Sequence, residues 1–485
     1  MDRQREKGDP LMDISKSKSG NSTWILPIVC GLILLLGTPP QETRAQTTTW
    51  VEGSVGPPSG YGFEFSLSGD GRWIAFGSLD DLVSADTNGW LDVYVRDLNS
   101  GDTELISRTP GGTAGNSASI TPSISADGRW VAFTSYADNL VQGDTNQVID
   151  VFVNDRQTGA ITRVSVPPGG GEFETDSYSP SISANGRWVA FGSFPSSLSL
   201  EFQVVKFEKI FVHDRQTGQT TLVNVSTDGA IANGMSFTLD ISADGQWLAF
   251  SSEADNLVPG DTNASDDVFV HNRLTGETTR VSVATGGEQG NQASGSPSIS
   301  GDGRIVAFGS SASNLVSGDT NANGSGITFE NGRDVFVHDR QTGQTTRVSV
   351  ATGGGQGNGY SYGPSLSLDG RIVAFSSSAD NLVSADTNGE TDVFVHNRQT
   401  GQTRRVSVAT GGGQANDDSF DPSLSAAGRR VAFSSFADNL VAGAPGIANY
   451  GIFVHDPDGF LPTNRAGRGN RRCEWRWQGR CHLAA

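Results

Sequence analysis

The sequence predicts an all-β protein: a seven-bladed β-propeller of four-stranded antiparallel blades, with the ring closed by an N-terminal strand that completes the last blade. Three observations predict this fold. One unit recurs seven times, each unit holds four segments of strand character, and the last unit lacks its fourth. The composition agrees, because 485 residues with 62 Gly, 35% hydrophobic and 8% aromatic residues are turn-rich in the manner of β architectures.

The recurring unit is an Asp-Gly-type hairpin followed by an apolar strand. Its clearest copy is SADGRWVAF, residues 125–133. The seven hairpin glycines are separated by 57, 58, 59, 58, 67 and 58 residues; they are Gly71, Gly128, Gly186, Gly245, Gly303, Gly370 and Gly428. A sustained period of this kind is the signature of a repeat architecture, in which each unit buries its apolar faces against its neighbours.

Each unit contains four short strands, as the second copy shows. They span residues 122–125, 129–135, 150–154 and 162–166. An Asp-Gly pair joins the first two strands, and it favours a tight hairpin because glycine accepts a positive φ. Apolar and β-branched residues stand on both faces of the strands, as stacked sheets require. Four antiparallel strands repeated around a ring form a propeller.

The two ends of the repeat region predict how the ring closes. The seventh unit has its first three strands, the third at 452–455, and then no segment like TRVSV. Residues 47–52 (TTTWVE) stand where a unit preceding the first would have its fourth strand. We therefore expect this strand to complete the last blade, and residues 46–460 to form one propeller domain.

The units resemble the WD-repeat-like propeller repeats of the TolB type. In those repeats a Ser-x-Asp-Gly hairpin precedes an apolar strand, and an Asp-x-x-Thr-Gly turn follows the third strand; residues 125–128 and 155–159 match these motifs here. The resemblance covers the propeller and implies a fold rather than a function. TolB-type periplasmic proteins carry an additional N-terminal α/β domain for which this chain has no room, so their partner interactions do not transfer.

The N-terminus has the layout of a secretory signal peptide. An apolar run of 14 residues, 24–37, follows two lysines and precedes a polar stretch that ends near Ala45. The run is shorter than the ~20 residues of a membrane-spanning helix, so cleavage is favoured over a retained membrane anchor, which stays the alternative. Met12 offers a later start. We expect residues 1–45 to be the signal peptide and the mature protein to be extracytoplasmic, either periplasmic or secreted.

Charge and cysteine content narrow the range of partners. Residues 46–460 hold 22 Arg or Lys against 47 Asp or Glu, so a phosphate backbone is repelled and nucleic acid is a poor partner for the propeller. Three Cys exclude a disulfide scaffold, and no Cys or His cluster has zinc spacing.

The Arg- and Trp-rich tail at 461–485 shows no β or helical period, and we expect it to be disordered. We expect a monomer.

The loop between strands two and three repeats a set of oxygen-bearing side chains, Asp-Thr-Asn-x-x-x-Asp. Five units keep the set, the fifth with an insertion before its last Asp: Asp86, Asn88 and Asp92; Asp144, Asn146 and Asp150; Asp261, Asn263 and Asp267; Asp319, Asn321 and Asp334; Asp386, Asn388 and Asp392. Calcium prefers about six to eight oxygen ligands, so the pattern predicts a structural Ca²⁺ site. The alternative is that these side chains only fold the loop through Asx turns.

The long loops lie at one end of the propeller, together with the linkers between blades, while the tight hairpins lie at the other. Loops on a rigid scaffold are where binding residues concentrate, so we expect a protein or carbohydrate ligand on the long-loop face. The linkers repeat an Asn and a Ser, for example Asn116 and Ser119, which form either a sugar-binding rim or simply satisfy the loop backbone.

Five histidines share one repeat position at the end of strand three: His213, His271, His338, His396 and His455. A catalytic residue is normally unique in a chain, so we expect these side chains to be structural. A specific site is expected where the repeats lose their symmetry, at 194–209 and 322–333.

Two functions remain open at this point. The first is an exported, non-enzymatic binding or interaction propeller. The alternative is a hydrolase or lyase acting on a polysaccharide or similar substrate in the central funnel, with Glu174 and Asp418 as acid and base. The sequence contains no H-E-x-x-H motif and no phosphate-binding glycine loop, which favours the binding module.

Overall fold

The computed structural model describes residues 46–51, 65–194, 209–321, 333–442 and 451–456. The expected signal peptide, the C-terminal tail and most of the two irregular segments lie outside these residues. The described residues form strands joined by turns and loops, and they contain no helix long and apolar enough to cross a membrane.

Seven four-stranded antiparallel sheets form the blades, as the repeats predict. Blade 1 consists of β2 (Phe65–Leu67), β3 (Trp73–Ser78), β4 (Asp92–Asp97) and β5 (Thr103–Leu105). Blade 2 consists of β6 (Ser119–Ile124), β7 (Trp130–Ser135), β8 (Asp150–Asp155) and β9 (Ala160–Arg163). Blade 3 consists of β10 (Asp176–Ile182), β11 (Trp188–Phe194), β12 (Lys209–Asp214) and β13 (Gln219–Leu222).

The remaining blades follow the same order. Blade 4 consists of β14 (Ser236–Ile241), β15 (Trp247–Ser252), β16 (Asp267–Asn272) and β17 (Thr278–Arg280). Blade 5 consists of β18 (Ser294–Ile299), β19 (Ile305–Ser310), β20 (Asp334–Asp339) and β21 (Gln344–Arg347). Blade 6 consists of β22 (Ser361–Leu366), β23 (Ile372–Ser377), β24 (Asp392–Asn397) and β25 (Gln402–Arg405). Blade 7 consists of β26 (Ser419–Leu424), β27 (Val431–Ser435), β28 (Gly451–Asp456) and β1 (Thr47–Val51).

The ring closes through β1, which is the outermost strand of blade 7. It pairs antiparallel with β28, so that Thr48 stands opposite His455 and Val51 opposite Ile452. The predicted completion of the last blade by the N-terminal strand is therefore confirmed. A closed ring leaves no unpaired blade interface for another chain to occupy.

The core repeats from blade to blade because strands two and three present apolar residues on both faces. In every blade a Phe of the second strand stacks on an aromatic ring of the third, with centroids 5.9–6.0 Å apart. The pairs are Phe76–Tyr94, Phe133–Phe152, Phe191–Phe211, Phe250–Phe269, Phe308–Phe336, Phe375–Phe394 and Phe433–Phe453. These rings are almost fully buried, so each blade contributes one aromatic layer to the packing between blades.

The first strand of each blade lies innermost and contacts the first strands of both neighbouring blades, so these strands line a central channel. A belt of hydrogen bonds joins them, with a backbone N–H of each blade donating to a side-chain oxygen of the preceding blade at 2.8–3.3 Å. The pairs are Ile124 to Ser66, Ile182 to Ser123, Ile241 to Ser181, Ile299 to Asp240, Leu366 to Ser298, Leu424 to Ser365 and Leu67 to Ser423. The belt runs through all seven blades and closes on itself.

Arginine side chains stabilise the hairpin face, which is the end of the propeller with the tight turns. In four blades an Arg beside the first hairpin pairs with an Asp at the second, at 2.6–2.8 Å: Arg72–Asp97, Arg129–Asp155, Arg187–Asp214 and Arg304–Asp339. A second series of arginines covers a Trp ring of the preceding blade at 3.7–3.9 Å from its centroid: Arg156 over Trp73, Arg215 over Trp130, Arg273 over Trp188 and Arg340 over Trp247. These cation–π contacts fasten neighbouring blades together.

Candidate functional site: the long-loop face and the central channel

In four blades, the paired aspartates of the repeated loop contact an arginine of the fourth strand. In blade 2, Arg163 Nη1 lies 3.0 Å from Asp144 Oδ1 and 3.5 Å from Asp150 Oδ2. The same contacts recur in three further blades: Arg280 with Asp261 and Asp267, Arg347 with Asp319 and Asp334, and Arg405 with Asp386 and Asp392. The structure thus brings the predicted aspartates together, and the chain supplies a guanidinium as their counter-charge.

The asparagine of each loop folds the backbone. Asn146 Nδ2 donates to Asp150 Oδ2 at 3.0 Å and to the Phe173 carbonyl at 3.0 Å, while its Oδ1 accepts the Val148 N–H at 3.3 Å. The last contact is an Asx turn, and Asn88, Asn263 and Asn388 make the same one. In blade 5, Asn321 Nδ2 donates to the Gly357 carbonyl. The geometry expected from the turn-forming alternative is therefore present, while calcium binding stays a prediction.

Blade 1 has the aspartate pair without the arginine. Leu105 pairs with Tyr94 in the register in which Arg163 pairs with Phe152, so a leucine occupies the arginine position. The Tyr94 hydroxyl donates to Asp86 instead, and Asn88 Nδ2 donates to Asp92 Oδ2 at 2.6 Å.

The other blades show that the arginine follows the aspartate pair. Blades 3 and 7 lack the acidic loop sequence, and they carry Leu222 and Trp50 at the same register position. Blade 1 is therefore the exception among the seven. Burial raises the pKa of Asp92 to about 7, an effect that no guanidinium counteracts there.

The linker asparagines clamp the start of the same loops. Asn116 Nδ2 donates to Asp138 Oδ1 at 2.6 Å, and Asn116 Oδ1 accepts the Asp138 N–H at 3.1 Å. Equivalent clamps join Asn233 to Asp255, Asn358 to Asp380 and Asn416 to Asp438. The companion serine is buried inside the blade, where Ser119 Oγ lies 2.9 Å from Ser135 Oγ. The repeated Asn therefore satisfies the loop backbone, and the repeated Ser does not form part of an exposed rim.

The five histidines are structural, as expected. Each Nδ1 lies 2.8–2.9 Å from a threonine hydroxyl of the outermost strand: His213 and Thr220, His271 and Thr278, His338 and Thr345, His396 and Thr403, His455 and Thr48. All five rings are buried. Burial lowers the pKa of His271, His396 and His455 to about 4, so the rings are neutral near pH 7.

Two carboxylates lie in the channel, both on first strands. Asp240 of blade 4 replaces a serine of the belt and accepts hydrogen bonds from Ser181 Oγ at 3.2 Å and the Ile299 N–H at 2.8 Å. Asp421 of blade 7 is solvent-exposed although it belongs to an innermost strand, so its side chain faces the channel. Desolvation inside the channel, where protein surrounds them on several sides, raises the pKa of both carboxyls to about 6.

Asp421 stands on strained backbone. Its φ is +54°, and it lies in a bulge of β26 immediately before Pro422. Such a conformation is costly for a residue other than glycine, but Thr121, Ser179 and Ser296 adopt it at the same bulge, so it belongs to the repeat. Ser434, opposite the neighbouring Phe420, has a buried hydroxyl without a hydrogen-bond partner. Blade 7 therefore has a buried second-strand hydroxyl that no described residue satisfies.

Aromatic side chains gather where blades 6 and 7 meet the long-loop end of the channel. Tyr360 and Tyr362 stack with centroids 5.7 Å apart and an interplanar angle of 19°. Phe420 lies 5.7 Å from Phe436, which is 38% exposed. These residues stand at the start of first strands or just after a second strand, which places them at the mouth of the channel.

The rim beside these rings is acidic. Carboxylate oxygens of Glu390, Asp417 and Asp418 lie within 4.8 Å of one another. Asp418 Oδ1 accepts the Thr391 N–H at 2.7 Å, and its negative charge raises the pKa of Glu390. Asp418 is thus a rim residue of blade 7, whereas Glu174 is an exposed linker residue of blade 3. The structure does not place this predicted acid and base on neighbouring blades.

Sequence reasoning missed three features of this end of the propeller. The arginine that contacts the two loop aspartates stands at the second position of the TRVSV segment. The sequence signal for this role was that blades 1 and 3 carry a leucine, Leu105 and Leu222, at the same position. Asp240 is visible as LDIS in place of PSIS. The aromatic mouth had only a weak signal, because Tyr360 and Tyr362 stand in a linker among glycines.

Comparisons with known proteins show likeness of fold. No protein family model and no curated protein sequence matches the chain. A solved oligogalacturonate lyase in complex with manganese has 12% identity and a TM-score of 0.48 over 86% of this chain and 98% of that one. The β-propeller domain of the Trilobed protease from Pyrococcus furiosus has 8% identity and a TM-score of 0.48 over 86% and 97%.

TolB-type propellers are also among the similar structures, in agreement with the resemblance of the repeats. TolB from Acinetobacter baumannii has 14% identity and a TM-score of 0.35, over 65% of this chain and 61% of that one. At such low identities the likeness concerns the propeller architecture and does not extend to an activity.

Proposed function

We propose that this chain is an exported binding propeller that takes a carbohydrate ligand at the long-loop mouth of its channel and performs no chemistry on it. The observation that carries the proposal is the pair of aromatic contacts Tyr360–Tyr362 and Phe420–Phe436 on adjacent blades. Half-exposed rings on a rigid scaffold offer flat apolar faces beside polar groups, an arrangement suited to sugar rings.

The site occurs on one side of the channel and is not repeated around the ring. At the strand position of Tyr362 and Phe420, blade 2 has Ile120, blade 5 has Gly295, and blades 3 and 4 have the buried rings of Tyr178 and Phe237, so among the described residues only blades 6 and 7 present a partly exposed ring there. A structural role in the repeat would recur from blade to blade, as the histidines do. A departure from the repeat therefore supports a role in recognition.

Neither the two channel carboxylates nor the two predicted catalytic carboxylates are neighbours in the ring, which favours binding over acid–base catalysis by these pairs. Hydrolysis or elimination by an acid and a base requires two groups within about 10 Å of each other across the substrate. Asp240 and Asp421 lie in blades 4 and 7, three blades apart, which is the largest separation that a ring of seven allows. Glu174 and Asp418 are likewise three blades apart, in blades 3 and 7.

The proposal is tested by measuring saccharide binding. We would screen the chain from residue 46 on a glycan array and titrate the best oligosaccharide by calorimetry. Tyr362→Ala and Phe436→Ala should each weaken binding by about tenfold or more, because the loss of an aromatic hot-spot contact typically costs about 2 kcal/mol or more. Tyr136→Ala is the matched control, since Tyr136 occupies the position of Phe436 in blade 2. An array without any bound glycan, or an equal loss in Tyr136→Ala, would contradict the proposal.

For calcium, we propose blade 1 as the single binding loop. Asp86 and Asp92 are buried there, and Leu105 supplies no counter-charge. Carboxylate and amide oxygens are the donors that Ca²⁺ prefers, and Asn88 stands between the two aspartates in sequence. In blades 2, 4, 5 and 6 an ion would first have to displace a guanidinium. The residues of blade 1 would hold the ion as a loop brace and not as a catalyst.

A further inference from the structure

Arg333 of blade 5 reaches from the long-loop end toward the central channel. It directly precedes β20, whose first residues stand at the long-loop face. Its Nε would lie 2.8 Å from a Cβ added to Gly309 on the second strand, and its Nη2 would lie 3.5 Å from a Cβ added to Gly295 on the first strand. The side chain therefore runs inward across the blade, with its guanidinium over the innermost strand.

Two glycines make room for this side chain. The equivalents of Gly295 and Gly309 are Ile120 and Thr134 in blade 2, and Tyr362 and Ser376 in blade 6. Among the described residues, blade 5 alone has glycine at both positions, and the side chains at these positions in blades 2 and 6 would block this path. The positions equivalent to Arg333 are occupied by Leu91, Ile149, Asp266 and Thr391 in blades 1, 2, 4 and 6. At all three positions, Arg333, Gly295 and Gly309, blade 5 therefore differs from blades 2 and 6.

The guanidinium of Arg333 has no hydrogen-bond or ion-pair partner among the described residues. This distinguishes it from Arg163, which contacts Asp144 and Asp150 at the same end of the propeller. Burial lowers the pKa of Arg333, and the negative charge of Asp266 in blade 4 only partly offsets this effect. A charge withdrawn from solvent and left unpaired is unfavourable, so a ligand that pairs with it gains binding energy.

Hydroxyl groups of the neighbouring blade border the same space. Ser251 Oγ lies 3.7 Å from the Cβ position of Gly295 and 3.0 Å from Thr238 Oγ1, and Thr238 is an exposed channel residue of blade 4. Guanidinium and hydroxyl donors together match the oxygens of a carboxylate or phosphate group.

We propose that the channel mouth recognises an anionic group of its ligand, a carboxylate or a phosphate, through Arg333. This inference deepens and rests on the proposed carbohydrate-binding function, because Arg333 lies at the same end of the channel as the aromatic rings, on the blade next to Tyr362. A ligand that spans both sites is an acidic saccharide, with a sugar ring on the aromatic faces and its anionic group on blade 5.

A matched pair of saccharides tests the inference. Cellotetraose and its uronate counterpart differ only at C6, where each hydroxymethyl group is replaced by a carboxylate, and inorganic phosphate tests the other source of the anion. We expect the wild-type chain to bind the uronate at least about tenfold more tightly than cellotetraose, and Arg333→Gln to abolish that difference. Arg304→Gln is the control, because Arg304 is an exposed arginine of the same blade on the opposite face.

Stability measurements exclude a purely structural role of Arg333. Removal of an unpaired, desolvated charge should leave the melting temperature of ligand-free Arg333→Met unchanged or raise it. A fall of several degrees would show that the guanidinium already has an internal partner, and would overturn the inference.

The outcomes separate the two proposals. A thermal shift with phosphate that Arg333→Gln abolishes, with equal affinities for both saccharides, would assign the anion to a phosphate group. Equal affinities of wild type and Arg333→Gln for every anionic probe would refute the role of Arg333. In that case, Tyr362-dependent binding of cellotetraose would still support the proposed function.

Discussion

The hydroxyl of Thr48 lies 2.9 Å from Nδ1 of His455, although the two residues are 407 positions apart in the chain. The contact repeats the His–Thr pair of blades 3 to 6, with the difference that blade 7 receives its threonine from the other end of the domain. Thr48 Oγ1 also contacts the carbonyl oxygen of Val408. Ring closure therefore uses the same local chemistry as the interiors of blades 3 to 6.

The first prediction concerns this closure. Thr48→Val keeps the volume of the side chain but removes its hydroxyl, leaving the buried His455 Nδ1 and the Val408 carbonyl without that partner. We expect a loss of about 1–3 kcal/mol in the free energy of unfolding, measured by urea denaturation. Thr47→Val, at an exposed position of the same strand, should change the stability by less than about 0.5 kcal/mol. Equal stability of the two variants would contradict the closure mechanism.

The second prediction separates steric contact between blades from backbone strain. Gly186 and Gly218 have φ of +70° and +75°, but a Cβ on Gly186 would lie 2.1 Å from Trp130 of the preceding blade, whereas a Cβ on Gly218 meets nothing within 4 Å. Gly218→Ala should cost about 1–2 kcal/mol from the left-handed backbone alone.

Gly186→Ala should cost clearly more than Gly218→Ala in thermal denaturation, because the Trp130 ring is covered by the guanidinium of Arg215, which itself donates to the Gly186 carbonyl, and cannot move aside freely. A similar cost for the two alanines would mean that the contact between the blades contributes little to stability.

The third prediction is a pH dependence from Asp240. Its pKa in the folded protein is raised to about 6, above the value of about 3.9 expected in the unfolded chain. The folded state therefore binds the proton more readily, so this carboxyl favours folding as the pH falls from about 7 to about 4 and opposes folding above pH 6.

Asp240→Ser restores the serine of the belt and removes this titration. At pH 7.5 the variant should be more stable than wild type by about 1–3 kcal/mol, and the difference should shrink toward pH 4.5. The measurement is a series of melting curves across this pH range. A difference that does not change with pH would show that Asp240 titrates normally.

The fourth prediction concerns calcium at blade 1. Free Ca²⁺ at ~100 times its Kd should stabilise the chain by about 2.7 kcal/mol, seen as a rise in melting temperature that Mg²⁺ does not reproduce. Leu105→Arg should abolish the rise, because the new guanidinium can pair with Asp86 and Asp92 as Arg163 pairs with its own aspartates.

Leu222→Arg is the matched control, since it places an arginine at the same register position in blade 3, where no aspartate pair occurs. The calcium effect should persist in this variant. Absence of any shift in wild type at millimolar Ca²⁺ would leave the loops as turns closed by Asx hydrogen bonds.

The sequence by itself determined the propeller, its seven blades and the way the ring closes. These features follow from local patterns: the period of the Asp-Gly hairpins, the alternation of apolar residues, and the missing fourth strand at one end with a spare strand at the other. Such patterns are readable because strand pairing within a blade joins segments that are neighbours in the chain. The structural role of the histidines was readable for the same reason, since it repeats.

Only the tertiary structure decided which charges are paired. The contacts of Arg163 with Asp144 and of Arg333 with its two glycines depend on strand register and on which residue of a blade faces inward. A repeat pattern shows that both arginines exist, but not that the first has aspartate partners and the second has none among the described residues. Side-chain direction and burial arise when strands distant in sequence pack together, so the candidate site became visible only in three dimensions.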